Sequence, residues 1–216
     1  MKRHDLVYLN SEGRQYAAAA AGSNHPELKR AFIMQIIAGE QIPGIVKRQE
    51  DIPGQDIAVG FSTCHYTPEG VRIRLNSVVP KRCIDAVISP FQVFQKVDET
   101  GIYAELNKLA KGCGMDVGLF GSSALEVMTG QPYRNQDSDI DLYVMPRSGA
   151  GQRLEELAQG IYQLEKSSQV RFDIEVEYQE LYGIKVKELL SGQKTVLAKG
   201  LYDVQLFERK KVLMEL

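Results

Sequence analysis

The hydrophobic pattern changes character along the chain. Between residues 45 and 75, short runs of β-forming residues are separated by Pro and Gly, which predicts strands joined by turns. The segment Val-Arg-Ile-Arg-Leu at 71–75 alternates apolar and basic residues, the pattern of a half-buried strand. Apolar residues instead recur at helical intervals within 91–111 and 154–164, which predicts helices there. The mixture of helices and strands indicates an α+β protein.

The first 89 residues are predicted to form a small N-terminal α+β domain. A helix is expected over 26–38, with Asn24 or His25 as its N-cap, Pro26 at its first position and Gly39 at its end. The β-like stretches of this domain are expected at 45–49, 57–62 and 71–75. The Ser89-Pro90 break marks the expected boundary at residue 89, and local sequence assigns no chemistry to this part of the chain.

Residues 90–216 are predicted to form a second, larger domain. Its helices are expected at 91–111, 123–128 and 154–164, with Gly101 weakening the first and Gly130 closing the second. Its strands are expected at 116–120, 139–144 and 170–176, followed by β-like runs at 195–199 and 202–207. The candidate chemistry lies in this second domain.

Composition and charge narrow the class of protein. Hydrophobic residues make up 44% of the chain and charged residues 25%, and the net charge of −2 gives no signal for nucleic acid or an anionic membrane. The most apolar helical stretch, 31–38, is far shorter than the ~20 residues of a membrane span. Cys64, Cys83 and Cys113 have no metal-ligand or redox spacing, which predicts free thiols in a reducing compartment. With no secretory signal at the start, the protein is expected to be cytoplasmic, without nucleic-acid or membrane partners.

Gly121 and Ser122 stand between the strand predicted at 116–120 and the helix that follows it. Glycine lets the backbone approach a ligand closely, the helix N-terminus presents free N–H groups, and the serine adds a hydroxyl. Such a turn suits phosphate oxygens. Taken alone, a Gly-Ser pair before a helix is more often only a turn and a cap.

Asp139 and Asp141 lie two residues apart in the next predicted strand. Residues i and i+2 of a strand share one face, so the two carboxylates converge and repel each other unless a cation lies between them. Oxygen ligands of this kind select Mg²⁺ or Mn²⁺. The alternative is that both acids are solvated at an exposed strand end. Asp137 would share the same face in an extended chain and is a weaker third candidate.

A third acid is expected from the strand predicted at 170–176. Asp173 lies there between apolar residues, where an unpaired carboxylate would be costly, and Glu175 shares its face. One of the two is expected to join the aspartate pair as a metal ligand. The alternative for either is a salt bridge with Arg171 or with a lysine.

These three features together favour a metal-assisted phosphoryl-transfer site. Two cations bridged by the acids could activate an attacking hydroxyl and stabilise a leaving pyrophosphate. Asp173 could either complete a metal's coordination shell or accept the hydroxyl proton. Arg134 and Lys199 are the best-placed bases to bind the remaining phosphate charge, the alternative being ordinary surface charge.

The order Gly121-Ser122, Asp139-x-Asp141, Asp173 resembles the nucleotidyltransferase superfamily. Members of that superfamily share a small mixed sheet flanked by helices. The resemblance therefore implies such a sheet for residues 90–216, with the smaller α+β domain before it.

Further motifs resemble one family within that superfamily. They are Phe120-Gly121-Ser122, Thr129-Gly130-x-Pro132-Tyr133, Ser138-Asp139-Ile140-Asp141-Leu142, Arg3-His4-Asp5-Leu6, Val46-Lys47-Arg48-Gln49, the pair Asp173 and Glu175, and Val196-Leu197-Ala198-Lys199. Together they look like the phosphoribosyl-dephospho-CoA transferase of malonate decarboxylase, also called its holo-[acyl-carrier-protein] synthase. The motifs touch both predicted domains.

This resemblance implies a reaction and its partners. The phosphoribosyl-dephospho-CoA group would pass from its triphosphate precursor, triphosphoribosyl-dephospho-CoA, to a serine of the acyl-carrier subunit of malonate decarboxylase, with release of pyrophosphate. The broader alternative is a nucleotidyltransferase acting on another protein or small-molecule hydroxyl. A catalytically inactive binding module is a further alternative, against which the three retained acids argue.

Overall fold

Two six-stranded sheets with helices packed on them form an α+β fold, which confirms the expected fold class. The structure is a computed structural model that describes residues 1–25, 27–98, 100–135, 138–147 and 149–216. The last strand of the first sheet is Ile84–Ile88, and the first strand of the second sheet is Met115–Phe120. The order of the sheets therefore follows the order of the chain.

The first sheet is antiparallel throughout its described pairs, with the strand order β2-β5-β4-β3-β1-β6. Its strands are β1 (Leu6–Leu9), β2 (Gly22–Ser23), β3 (Gly44–Val46), β4 (Asp56–Tyr66), β5 (Arg72–Pro80) and β6 (Ile84–Ile88). Two helices accompany them, α1 (Ser11–Ala20) and α2 (Arg30–Met34), and α2 continues into a wider π-helical turn at Gln35–Gly39.

The two faces of this first sheet differ in chemistry because side chains alternate along each strand. One face buries Val59, Phe61 and Leu75 in a core shared with Ile36 and Ile37 of the helical segment. The alternating pattern predicted for 71–75 is confirmed, since Ile73 and Leu75 are buried while Arg72 and Arg74 are not. The basic residues of β5 therefore lie on the face away from this core.

The second sheet has the strand order β12-β11-β10-β9-β8-β7, and it is mixed because β8 and β9 are parallel while the other pairs are antiparallel. Its strands are β7 (Met115–Phe120), β8 (Ile140–Pro146), β9 (Phe172–Tyr178), β10 (Tyr182–Lys185), β11 (Thr195–Lys199) and β12 (Val204–Glu208). Its helices are α3 (Pro90–Phe94), α4 (Gly101–Gly112), α5 (Gly121–Thr129), α6 (Leu154–Ser168), α7 (Val186–Leu189) and α8 (Arg209–Glu215). A mixed sheet flanked by helices is the arrangement expected for this part of the chain.

One face of the second sheet is apolar and the other is polar. Leu142, Val144 and Ile174 belong to a core that also contains Leu106 of α4 and Leu157 of α6. The strand pairing sets the intervening residues on the opposite face, where Asp141 is opposite Asp173 and Tyr143 is opposite Glu175. We call this opposite side the polar face.

The helix predicted at 26–38 is shorter than expected. It begins at Arg30, and its N-cap residue Lys29 makes no side-chain cap. Asn24 is occupied elsewhere, since its side-chain oxygen accepts the backbone N–H of Arg74 at 2.8 Å. Pro26 lies outside the described residues. Neither proposed cap is used, because the segment before the helix is tied to β5.

The single helix predicted at 91–111 is two helices in the structure. Ser89 and Gln92 form a capping box around α3, which places Pro90 at the first helical position. A Cβ on Gly118 would lie 2.8 Å from Pro90, so that glycine allows α3 to cross β7 closely. Gly101, with φ of +58°, begins the second helix instead of lying in its middle. The prediction was wrong here because the glycine is a break and not a tolerated interruption.

Candidate active site

Asp141 lies at the centre of the candidate site. It is on β8, paired with Asp173 of the parallel neighbour β9 and with Phe120 at the end of the antiparallel neighbour β7. Gly121, the residue after Phe120, therefore lies directly beside Asp141. Its φ is +65°, and a Cβ there would lie 2.0 Å from the Oδ2 atom of Asp141. The position requires glycine both for its backbone conformation and for space.

Burial and neighbouring negative charges raise the pKa of Asp141 to about 7. Burial is the largest cause, followed by the charges of Asp173 and Asp139, while Lys185 acts in the opposite direction. The group is a carboxylate whose charge the protein has left incompletely neutralised. A shift of this kind in a cavity is typical of a functional site.

Asp139 lies immediately before β8, with 45% of its side chain exposed. Its Oδ1 atom forms an ion pair with Nε of Arg171, at a distance of 2.7 Å. Asp139 still contributes to the pKa of Asp141, so the two charges are close, as the spacing predicted. Asp137, the weaker third candidate, lies outside the described residues.

Asp173 is paired with a cation that the sequence did not single out. Nζ of Lys185 lies 2.7 Å from Oδ2 of Asp173, and this hydrogen bond raises the pKa of the lysine. Lys185 ends β10, a short strand that the hydrophobic pattern did not reveal. The predicted alternative of a salt bridge with a lysine is thus present, although Asp173 remains beside Asp141.

Glu175 is buried and bound to the N-terminal segment. Nη2 of Arg3 lies 2.7 and 2.9 Å from its two carboxylate oxygens, and Nε2 of His4 lies 3.1 Å from Oε2. Burial would raise the pKa of Glu175, but the His4 hydrogen bond and the Arg3 charge outweigh it and lower the pKa to about 2. Burial lowers the pKa of His4, so Arg3 is the permanent counter-charge.

We call this group, together with the ion pair between Lys2 and Glu177, the N-terminal clamp. The ring of His4 also packs on Phe120, with ring centroids 3.9 Å apart. The clamp therefore joins the first residues of the chain to the polar face, directly beside the residue that precedes Gly121.

The two predicted phosphate-binding bases are engaged with other groups in the structure. Arg134 donates to Oε1 of Glu126 through Nε and Nη2, at 3.2 and 3.1 Å. Lys199 is on β11, where its carbonyl oxygen accepts Arg3 at 3.2 Å and its charge acts on His4. Neither residue lines the cavity that contains Asp141.

That cavity has a volume of about 760 Å³ and lies between the two sheets. The second sheet and its loops contribute Gly121, Ser122, Leu125, Tyr133, Asn135, Ser138 and Asp141. The first half of the chain contributes both polar and apolar residues, among them three cations, Lys47, Arg72 and Arg74. Gly121, Ser122 and Asp141 therefore share a cavity with three cations of the first half of the chain. We call these three cations, Lys47, Arg72 and Arg74, the basic wall.

Sequence reasoning noted the basic residues of β5 only as part of a strand pattern. Arg72 is fixed by Tyr66 and Tyr133, whose ring centroids lie 5.0 and 5.7 Å from its guanidinium carbon, and it also donates to the carbonyl oxygen of Tyr133. The alternation of apolar and basic residues was the available signal. It could show that the arginines share a face, but not what lies opposite that face.

The three aspartates fit a divalent cation in ligand type. All offer hard carboxylate oxygens, the ligands of Mg²⁺ or Mn²⁺, and the Asp141 charge lacks full compensation. Asp139 and Asp173 are at present turned towards Arg171 and Lys185. An acid that binds the cation would exchange its present partner for it.

The start of α5 adds hydrogen-bond donors to the same cavity. The helix begins at Gly121, and its N-cap residue Phe120 supplies no side-chain cap to the first-turn N–H groups. Ser122 lines the cavity within this first turn. The predicted turn is therefore the first turn of the helix itself, which is a suitable position for phosphate oxygens.

Comparison with protein-family models identifies both halves of the chain. Residues 89–210 match the model described as the phosphoribosyl-dephospho-CoA transferase MdcG C-terminal domain, and residues 2–90 match the MdcG N-terminal domain. Searches of curated proteins and of solved structures gave no match.

The two matches cover nearly the whole chain and identify it as a transferase. The chain belongs to the phosphoribosyl-dephospho-CoA transferase family MdcG, whose members transfer the phosphoribosyl-dephospho-CoA prosthetic group to the acyl-carrier protein of malonate decarboxylase. This confirms the family resemblance and the transferase activity predicted from the sequence, in preference to an acceptor of another kind or an inactive binding module. Within the described residues, no helix combines the length and apolar character needed to span a membrane.

Proposed function

We propose that this transferase takes its group from triphosphoribosyl-dephospho-CoA and joins it to a serine of the acyl-carrier subunit. The serine oxygen would form a bond to the α-phosphorus of the triphosphate, and the bond from that phosphorus to the bridging oxygen of pyrophosphate would break. The serine proton would go to a carboxylate of the enzyme. The product would be a phosphodiester with pyrophosphate released.

The observation that carries this proposal is the incompletely neutralised carboxylate of Asp141 beneath the first turn of α5. Asp139 and Asp141 would hold Mg²⁺ or Mn²⁺, which would neutralise phosphate charge and lower the pKa of the attacking hydroxyl. Asp173 is better suited than Glu175 to act beside them, because Arg3 and His4 already hold the carboxylate of Glu175. Phosphoryl transfer of this kind depends chiefly on positioning and charge.

Asp173 is the residue we propose as the acceptor of the serine proton. It lies opposite Asp141 in the parallel register, and Lys185 holds its Oδ2 atom at 2.7 Å. The lysine would fix the direction of the carboxylate. A base fixed in this way needs little reorganisation when the hydroxyl arrives.

The basic wall is the part of the cavity we propose for the donor. Lys47, Arg72 and Arg74 face the first turn of α5 across it, so anionic phosphates could be bound from both sides. The volume of about 760 Å³ lies within the range of about 300–1,000 Å³ typical of ligand sites. The donor would therefore be held between the two halves of the chain.

An intact-mass assay tests donor, acceptor and cation together. The transferase is mixed with the apo acyl-carrier subunit, Mg²⁺ and triphosphoribosyl-dephospho-CoA, and a parallel sample contains ATP in place of that donor. We expect the carrier to gain the mass of the phosphoribosyl-dephospho-CoA group only with the first donor, with loss of the gain when EDTA removes the cation. A gain that survives EDTA would reject the proposed metal dependence, and a gain of AMP would reject the proposed donor.

A further inference from the structure

A second group of metal-ligating side chains lies outside the acid site. The carboxylate of Glu40, the thiol of Cys64 and the imidazole of His65 have ligand atoms that all lie within 4.8 Å of one another. Nε2 of His65 is 2.7 Å from Oε1 of Glu40. All three line a cavity of about 390 Å³ that does not include Asp141. In the part of the chain that the structure describes, this is the one such trio of His, Cys, Asp or Glu.

A β-bulge explains how two consecutive residues can point to the same place. In a regular strand Cys64 and His65 would face opposite sides. Here the pairing of β4 with β5 shifts between Ser62 and Tyr66, so β4 carries extra residues at this point. The bulge is fixed by Thr63, whose hydroxyl donates to Ile73 O at 3.0 Å and accepts His65 N–H at 3.1 Å.

The helical side of the cluster is also held in place. Glu40 follows the π-helical turn, and its backbone N–H donates to Gln35 O at 3.1 Å. Phe32 of α2 packs edge-on against the ring of His65, with centroids 5.4 Å apart. Turns of this type occur frequently at functional sites. The cluster thus connects the end of a helix to the bulge of β4.

A buried polar group beside the cluster provides an independent observation. Tyr133 is fully buried, and Thr129 is near its hydroxyl but outside good hydrogen-bond geometry. Cys64 and Glu40 are close enough to act on this hydroxyl electrostatically. A buried hydroxyl with so weak a hydrogen bond costs free energy, which favours a polar group next to it.

We propose that Glu40, Cys64 and His65 bind one Zn²⁺ ion. A thiolate, an imidazole and a carboxylate are a ligand set for Zn²⁺, whereas Mg²⁺ does not select sulfur. Ligand atoms of a tetrahedral zinc site lie about 3.3–3.7 Å apart, given bonds of about 2.0–2.3 Å, so the trio needs to move by only about 1 Å. Solvent occupies the fourth position.

The ion would act as a structural link near the donor cavity. It would join Glu40 to β4 at the bulge, and Tyr66 at the end of this bulge supports Arg72 in the basic wall. The zinc ion would therefore help to hold the basic wall in position. The zinc site is independent of the proposed Mg²⁺ site, since the two share no residue.

The test uses the full chain, stripped of metal under reducing conditions and titrated with Co²⁺ and with Zn²⁺. We expect one Co²⁺ per chain with a thiolate-to-cobalt charge-transfer absorption, and displacement of that ion by Zn²⁺. Cys64→Ser should abolish the absorption, and His65→Gln and Glu40→Gln should weaken zinc binding by more than about 100-fold, because even outer-shell partners change metal affinity by about 10- to 100-fold.

Two matched controls separate this site from others. His25→Gln removes a histidine of the same domain that also pairs with a glutamate but belongs to no such trio among the described residues. Asp141→Asn alters the proposed Mg²⁺ site. Both variants should keep the charge-transfer absorption. Zinc should also raise the thermal unfolding midpoint of the unsubstituted protein and not that of Cys64→Ser. Absorption that persists in Cys64→Ser, or a full chain that retains no zinc through gel filtration, would overturn the proposal.

Discussion

The two ends of the polar face carry carboxylates in opposite electrostatic states. Asp141 and Glu175 lie on the neighbouring strands β8 and β9, on the same side of one sheet. The pKa of Asp141 is raised to about 7, whereas that of Glu175 is lowered to about 2. Both are substantially buried, so burial does not explain the difference. The neighbouring charges explain the difference in pKa, because Asp141 faces other aspartates while Glu175 faces Arg3 and His4.

We propose that this contrast separates a structural acid from a chemical one. At Glu175 the protein supplies its own cations, and the result is a clamp that joins the N-terminal segment to the second sheet. At Asp141 compensation is incomplete, so the cluster is suited to a cation and a polyphosphate. A buried acid is therefore informative about function only after its partners are known.

The largest expected effect comes from Asp141→Asn. This change keeps the shape of the side chain but removes the charge at the centre of the acid site. We expect the rate of transfer to fall by more than about 10³-fold, since loss of one transition-state donor alone typically costs about 10²–10³-fold. Single-turnover transfer to the carrier subunit measures it, and a normal circular dichroism spectrum is the control for folding. A rate within tenfold of the unsubstituted enzyme would remove Asp141 from the site.

Gly121→Ala should disturb the same carboxylate from the backbone side. The new Cβ would lie 2.0 Å from Oδ2 of Asp141, so we expect activity to fall by about 10²-fold, as for loss of one transition-state contact. Gly130→Ala is the matched control, because that residue closes the same helix with φ of +68° and has no atom within 4 Å of the added Cβ. Both variants should lose about 1–2 kcal/mol of unfolding free energy from backbone strain. Equal activities in the two variants would show that the contact with Asp141 is unimportant.

Glu175→Gln should lower the free energy of unfolding and leave the rate of transfer close to that of the parent protein. Removing one partner of a buried ion pair leaves Arg3 without its counter-charge, which costs about 3 kcal/mol of unfolding free energy. Urea unfolding measures this loss. Glu156→Gln is the control, since it breaks an ion pair to Arg153 that is largely exposed and should change stability little. A stability unchanged from the parent in Glu175→Gln would mean that the clamp does not hold the two halves together.

The stabilisation from Glu175 should depend on pH in a defined direction. Its pKa is lowered from 4.5 to about 2 in the folded protein, so its contribution is fully present above pH 4.5 and is lost as the pH falls towards 2. The difference in unfolding free energy between the parent protein and Glu175→Gln should therefore be constant near neutrality and shrink below about pH 4.5. A difference that grows on acidification would contradict this assignment.

The smallest expected effects are on donor binding. They compare Arg72 of the basic wall with Arg134, which the sequence predicted as a phosphate-binding base. Arg72→Gln should raise the KM for the donor roughly tenfold, the equivalent of about 1.4 kcal/mol for a charge-assisted contact. Arg134→Gln should change it less than about twofold, because Arg134 is already bound to Glu126 and does not line the cavity. Steady-state kinetics on both variants measures the contrast. A larger increase in KM for Arg134→Gln than for Arg72→Gln would show that Arg134 binds phosphate and that Arg72 does not.

Local sequence was sufficient for features that depend on neighbours along the chain. The spacing of Asp139 and Asp141 predicted their proximity, and Gly121-Ser122 predicted a turn open to a ligand, since alternation and helix starts are local properties. The mixed sheet followed from the family resemblance that these residues carry.

Features that depend on distant partners could not be predicted in the same way. Glu175 is a clamp residue because Arg3 reaches it across 172 positions of sequence, and Arg72 faces the site because the first sheet is placed over the second. The cysteines were compared only with one another, which concealed the position of Cys64 beside Glu40 and His65. The broken helix at Gly101 was missed because helical spacing continues through the break.

The most direct test of the account is transfer to the acyl-carrier subunit by Asp141→Asn and Glu175→Gln, measured side by side by intact mass at saturating Mg²⁺. Both proteins are assayed at a temperature where urea unfolding shows that they are folded. The account predicts that Glu175→Gln loads the carrier with the phosphoribosyl-dephospho-CoA group at close to the parent rate, while Asp141→Asn leaves it unloaded. Loading by Asp141→Asn, or its absence with folded Glu175→Gln, would contradict the division of the polar face into a chemical end and a structural end.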